Sequence, residues 1–180
     1  MSGGFIILSE MKNNFMNSEN ISFKKVSPDD WQKFRDIRLN GLQNDPQAFG
    51  GVFENESQES EVYWRERFSN PERLFYVAEE NGLFVATAGS KKIDEDNWMI
   101  TAVYVLPEYR GKHISEALVN QIIVEVKNLG AKKASLMVNA VQEGAVYIYK
   151  KMGFETVKTE KEQKFGDGKT YDVYYMEKII

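Results

Sequence analysis

The stretch from Trp98 to Val138 restricts what this chain can fold into more than any other. An apolar run, Trp98 to Leu106, is closed by Pro107, which cannot continue a central strand. Ile114, Leu118, Ile122 and Val126 then recur at every fourth position, with Val119 and Ile123 widening the stripe. That is the period of a helix with one buried face over 114–129, and Gly130 follows as its C-terminal cap. Ala134 to Val138 is a second, shorter apolar run. A strand, a helix and a strand in this order form a crossover, and a crossover joins parallel neighbours.

The flanking segments read as antiparallel hairpins and short helices. Ile21 to Val26 is a predicted strand, and Ser27-Pro28-Asp29-Asp30 has the residues of a capping box with proline at the first helical position. Trp31, Phe34, Ile37 and Leu42 mark the helix that follows, which Asp45-Pro46 breaks. A second helix is expected from about Ser57 to Phe68, with Val62, Tyr63 and Phe68 inward. Leu74 to Glu79 and Leu83 to Ser90 flank Glu80-Asn81-Gly82, a strong hairpin signal. Glu143 to Met152 reads as a helix stopped by Gly153. Phe154 to Lys164 and Lys169 to Ile179 form a last hairpin across Gly166-Asp167-Gly168. The order β-α-α-β-β-β-α-β-α-β-β gives a mixed α/β sheet, mostly antiparallel, with helices on both faces. Residues 21–180 are taken as one domain and residues 1–20, polar and rich in Asn, Ser and Met, as a loose extension.

Composition removes several function classes. With no cysteine there is no thiol nucleophile, and with one histidine no multi-histidine metal site, so no metal is expected. A net charge of -4 and a pI near 5.2 argue against electrostatic binding of nucleic acid. The apolar run Phe5 to Leu8 lacks a basic leader and is too short for a signal-peptide core, and no stretch approaches a membrane span of roughly 18 residues. A cytoplasmic location fits these features.

Chemistry concentrates in the turn Pro107-Glu108-Tyr109-Arg110-Gly111-Lys112-His113-Ile114-Ser115. A strand-to-helix turn brings free N–H groups and the positive helix end to one point. Gly111 permits close approach of a ligand, and Arg110 and Lys112 add charge. This is either a phosphate or pyrophosphate cradle or a solvated basic turn. Neither a Walker loop nor a G-x-G-x-x-G motif is present.

Val103 to Lys112 resembles motif A of the GNAT superfamily, and Val138 to Phe154 resembles its motif B, with Gln142 at the usual Asn place and Ile148 at a Leu place. Arg38-Leu39-Asn40-Gly41-Leu42, Asp45 to Gly50, a following acidic stretch and Trp64 are similar to one broad branch of that superfamily. The resemblance covers roughly residues 21–180. It implies a GNAT fold splayed at a central parallel strand pair, and an N-acetyltransferase that uses acetyl-CoA. It further implies that Val103 and Val105 pair with the pantetheine arm, with Tyr104 and Gln142 nearby. Gly111, Lys112, His113, Ile114 and Ser115, extending to Glu116, would meet the pyrophosphate beside Arg110. Tyr149 would protonate the leaving thiolate. The acceptor implied is a small amine, with a protein N-terminus or a non-catalytic acyl-CoA-binding module as alternatives, in a monomer or homodimer.

The sequence departs from the family at three places. His113 stands where a loop glycine is usual; the expected backbone has negative φ, with His113 contributing only its N–H, and the alternative puts its imidazole on a phosphate or the substrate. Thr101 and Met137 occupy the strand positions where relatives carry a glutamate base, so Glu54 and Glu56, in a segment that lines the acceptor site in relatives, become the candidates. Gln142 adds a methylene to an amide contact. Thr101 is kept as an acceptor-site residue, and Tyr104, alternating away from Val103 and Val105, is a candidate to face the acceptor.

Overall fold

A computed structural model describes residues 20–180. The extension expected over residues 1–20 therefore lies, except for Asn20, outside the described residues. Seven strands form one sheet: β1 (Ile21–Lys25), β2 (Arg73–Glu80), β3 (Leu83–Lys92), β4 (Asn97–Val105), β5 (Lys133–Asn139), β6 (Glu155–Lys164) and β7 (Thr170–Ile179), in spatial order β1-β2-β3-β4-β5-β7-β6. Every neighbouring pair is antiparallel except β4 and β5. The helices are α1 (Trp31–Asn44), α2 (Glu61–Ser69), α3 (Ile114–Asn128) and α4 (Glu143–Lys151), with a single helical turn at Phe53–Glu56. Among the described residues no helix is long and apolar enough to cross a membrane.

Two cores form because the sheet buries both faces. On one, the α3 stripe of Ile114, Leu118, Ile122 and Val126 packs with Trp98, Ile100, Leu136 and Phe154. On the other, Phe34, Ile37 and Leu42 of α1 pack with Trp64, Phe75, Val77 and Tyr104. The α1 entry follows the sequence pattern: the Asp30 carboxylate accepts from the Ser27 N–H at 3.0 Å and its hydroxyl at 2.9 Å.

The second helix corrects the sequence reading. It starts at Glu61, capped by Ser60, whose hydroxyl accepts from the Tyr63 N–H at 3.3 Å. Trp64 takes the fully buried position; Val62, two residues away and so on the opposite side of a 3.6-residue turn, is 61% exposed rather than inward.

The decisive feature for function is where β4 leaves β5. Their pairing runs only from Asn97 opposite Lys133 to Ile100 opposite Leu136. Just beyond, β4 carries a bulge against β3, where Ala102 adopts φ +53 and the register shifts between Thr87 and Gly89. A bulge bends the strand that holds it. From there β4 follows β3 while β5 follows β7 to Asn139, and the two diverge.

Candidate active site

The divergence opens a cleft of about 710 Å³. Thr101 to Val105 form one wall, Leu136 to Val138 the other, and Gln142 to Ala145 with Ile148 and Tyr149 of α4 close the side. The turn contributes Arg110, Gly111, His113, Ile114, Ser115 and Glu116, and Asp45, Gln47 and Ala48 complete the lining.

Backbone geometry leaves free main-chain groups along the β4 wall. The Leu106 N–H donates to the Val85 carbonyl on the β3 side at 3.0 Å. Main-chain groups alternate between the two edges of a strand, so those of Val103 and Val105 face the cleft, where β5 no longer meets them. The Val105 carbonyl already accepts from Arg110 Nε at 3.0 Å. That leaves both main-chain groups of Val103 and the N–H of Val105 for an amide-bearing ligand.

At the far end, the first intrahelical bond of α3 is Ala117 N–H to the His113 carbonyl at 3.1 Å. The N–H groups of Ile114, Ser115 and Glu116 thus have no intrahelical acceptor and sit at the positive helix end. Gly111 has φ +77 with open space where a Cβ would stand. His113 overturns the expectation of negative φ: it adopts φ +58, ψ +18. It occupies the last position before the helix, where the chain must swing from the turn onto the α3 axis, a task a glycine performs without strain. For His it costs roughly 1–2 kcal/mol. Its imidazole lies over the helix start, with Nδ1 2.7 Å from Glu116 Oε1.

Other expected site residues sort by geometry. Thr101, Tyr104, Gln142 and Tyr149 line the cleft. Tyr104 is buried towards α1, its hydroxyl donating to Asn40 Oδ1 at 2.7 Å. Lys112 turns away, its Nζ 4.8 Å from the centroid of the Tyr109 ring. Tyr149 is half-buried, packed edge-on against Phe154 at 6.0 Å, and burial pushes its hydroxyl pKa up to about 12. Glu54 and Glu56 do not reach the cleft. Glu54 is exposed, and Glu56 is held by Arg38 Nε at 3.0 Å, Arg38 Nη2 at 2.5 Å and Arg67 Nη1 at 3.4 Å. Burial raises the Glu56 pKa, but the hydrogen bond and charge of Arg38, with Arg67 behind it, outweigh burial and bring it below the usual carboxylate value. A carboxylate so committed is a poor proton acceptor.

Asp45 and Lys151 join the site although the sequence reading did not single them out; both lie in stretches that carry the resemblance, Asp45 to Gly50 and Val138 to Phe154. Asp45, past the end of α1, meets Arg110 Nη2 at 2.5 Å. Lys151, in the last turn of α4, meets Glu116 Oε2 at 3.5 Å. Both depend on elements brought together from distant parts of the chain, which periodicity does not report. Among the described residues no group of three or more His, Asp or Glu is placed to hold a metal ion.

The Acetyltransferase (GNAT) family model matches residues 31–154, which take in the splayed strands, the turn and α4. The chain belongs to the GNAT family. Among its relatives, mycothiol acetyltransferase of Propionibacterium freudenreichii subsp. shermanii is 32% identical over 94 residues, 51% of this chain and 30% of that protein. An N-acetyltransferase of Methanocaldococcus jannaschii is 25% identical over 144 residues, 74% of this chain and 60% of that protein. The chain thus spans well under two thirds of the first of these relatives and somewhat under two thirds of the second. The same fold appears in an N-acetyltransferase from Staphylococcus aureus Mu50, with TM-score 0.74, 18% identity and coverage of 89% of this chain and 99% of that one. It appears also in Arabidopsis thaliana NAA60 in complex with acetyl-CoA, with TM-score 0.70, 16% identity and coverage of 89% and 98%.

Proposed function

We propose that this GNAT protein moves the acetyl group of acetyl-CoA to the amine of a small molecule by direct attack in a ternary complex. The observation that carries this reading is the end of the β4–β5 pairing at Ile100 and Leu136, with free main-chain groups on one wall, helix-end N–H groups at one mouth and Tyr149 between them. The residues fit the cofactor. The Val103 carbonyl and the Val105 N–H suit the amides of pantetheine, and Gly111 to Glu116 suit the pyrophosphate.

Bound acetyl-CoA supplies a thioester carbon open to an amine, with a thiolate as leaving group. The Val103 N–H presents a donor to the acyl oxygen as charge grows there. Tyr149, held protonated by burial, offers its proton to the departing sulfur. Thr101 and Met137 bring no carboxylate to the β4 and β5 walls, so the amine proton leaves to water. The acceptor therefore enters uncharged, and the rate rises with pH towards the acceptor's own pKa.

Support for a small acceptor comes from the segment that follows α1, which lines the cleft through Gln47 and Ala48. The Gly166 N–H of the β6–β7 hairpin donates to the Phe49 carbonyl at 3.0 Å, and Asn139 Nδ2 donates to the Gln47 carbonyl at 3.2 Å. These bonds tie the Pro46–Phe49 segment to the hairpin and to β5, narrowing the approach for an extended polypeptide. The absence of a carboxylate at positions 101 and 137 keeps a second reading in view, a module that binds acyl-CoA without turnover. A thiol-release assay with acetyl-CoA, a panel of small amines and a panel of short peptides tests all of this. Release with small amines is the expected result. Release with peptides alone would assign a protein N-terminus, and silence with tight coenzyme A binding would assign the non-catalytic module.

A further inference from the structure

Four basic side chains surround the turn and the start of α3: Arg110, Lys112, His113 and Lys151. Two are committed elsewhere. Arg110 is held by Asp45 and the Val105 carbonyl, and Lys112 lies over Tyr109, outside the cleft. The other two line the cleft and converge on one carboxylate: His113 Nδ1 at 2.7 Å from Glu116 Oε1, Lys151 Nζ at 3.5 Å from Glu116 Oε2. His113 and Lys151 arrive from different elements, the turn and the end of α4. Glu116 is the third residue of α3, where the free N–H groups and the helix dipole favour negative charge. The hydrogen bond from His113, working against slight burial and aided by Lys151, holds Glu116 below the usual carboxylate range. The chain thus supplies an anion of its own to an anion site.

A second observation is the backbone of His113. It bears a left-handed φ that glycine would adopt without strain, and the residue in that position carries a side chain directed at the same point. His113 and Lys151 are 71% and 52% exposed, at the rim of the cleft rather than on its floor. A pyrophosphate diester is served by the N–H groups of the turn and helix end. A phosphomonoester carries about −1.5 to −2 charge and three acceptor oxygens, and needs side-chain cations beyond those N–H groups.

We propose that His113 and Lys151 form a phosphomonoester subsite that takes the 3′-phosphate of coenzyme A, with Glu116 as the resident anion that yields both side chains to it. The inference rests on the reading that this cleft binds coenzyme A. It assigns the discrimination between coenzyme A and its dephosphorylated form to two side chains, one from the turn and one from the end of α4.

Calorimetry with coenzyme A and with dephospho-coenzyme A on the full chain tests it. Wild type is expected to favour coenzyme A by about tenfold or more, the size of a single charge-assisted hydrogen bond. Lys151→Met should shrink that ratio to about threefold or less, with dephospho-coenzyme A bound as in wild type, which also shows that the variant is folded. His113→Gly keeps the left-handed backbone and removes only the ring, and should shrink the ratio likewise. Glu116→Gln should tighten coenzyme A several-fold while leaving the dephosphorylated ligand nearly unchanged. An unchanged ratio in Lys151→Met and His113→Gly, or a wild type that treats the two ligands alike, overturns the subsite. Weaker coenzyme A binding in Glu116→Gln overturns the role of Glu116 as the displaced anion. Failure of wild type to bind either ligand is a different result, and overturns the cofactor reading on which the subsite stands.

Discussion

Replacing Glu56 by glutamine should cost this domain a large part of its stability without touching the cleft. Glu56 stands between two guanidiniums whose side chains are 9% and 13% exposed. Arg38 is packed over the Phe49 ring at 4.7 Å, and Arg67 over Trp64 at 5.2 Å and Phe75 at 5.6 Å. Arg67 Nε is already buried without a partner among the described residues. Removing the one carboxylate leaves two positive charges in a largely aromatic surrounding, and breaking a buried pair in this way costs about 3–5 kcal/mol. For a domain of this size that corresponds to a fall in Tm of roughly 6–20 °C. The sign of the pH dependence follows from the lowered pKa of Glu56. A carboxylate whose folded pKa lies below its unfolded value contributes stability above the unfolded value, and loses it as pH falls through the folded one. The gap between wild type and Glu56→Gln should therefore be full at neutral pH and close as pH falls below about 4.5. Urea denaturation at several pH values measures it. A gap under about 1 kcal/mol at neutral pH would refute the account of a buried, uncompensated charge pair. A folded variant that keeps its coenzyme A affinity but loses turnover would restore Glu56 as a proton acceptor.

Other substitutions separate the remaining assignments. Tyr149→Phe keeps the ring and removes the donor, so kcat should fall about tenfold or more with little change in coenzyme A affinity; an unchanged kcat under rate-limiting chemistry would make Tyr149 a packing residue. Gly111→Asp sets a carboxylate beside the α3 N-terminus and should abolish coenzyme A binding in calorimetry, while circular dichroism stays native, since open space surrounds that position and aspartate tolerates the left-handed backbone at a cost of roughly 1–2 kcal/mol. Gly166→Ala places a methyl group against the Gly51 carbonyl and 3.2 Å from that of Phe49, so the hairpin tip should lift from the Pro46–Phe49 segment. Faster amide exchange at position 166 and a relaxed preference for small amines over peptides are the expected signs.

Much of the fold was legible in the sequence because its signals are local. The four-residue spacing in α3, the Asn-Gly turn between β2 and β3 and the proline after β4 each act within a few residues, and the parallel pairing of β4 with β5 follows from the crossover they define. The free N–H groups at the start of α3, after the Arg110–Ser115 turn, were legible for the same reason, as a property of any strand-to-helix turn. Tertiary structure decided what depends on distant partners. The bulge at Ala102 arises where β4 parts from β5, and no residue near it announces a positive φ. Glu56 looked like a free acid beside the acceptor, but only the packing of α1 and α2 brings Arg38 and Arg67 onto it. His113 adopts the left-handed conformation because the direction of α3, set by its packing against the sheet, requires that swing of the chain. Lys151 reaches Glu116 only because α4 lies across the cleft from α3. Periodicity selects elements, since it reflects one face meeting an apolar interior; the pairing of charges across a cleft depends on how those elements are placed, and that is set by the assembled core.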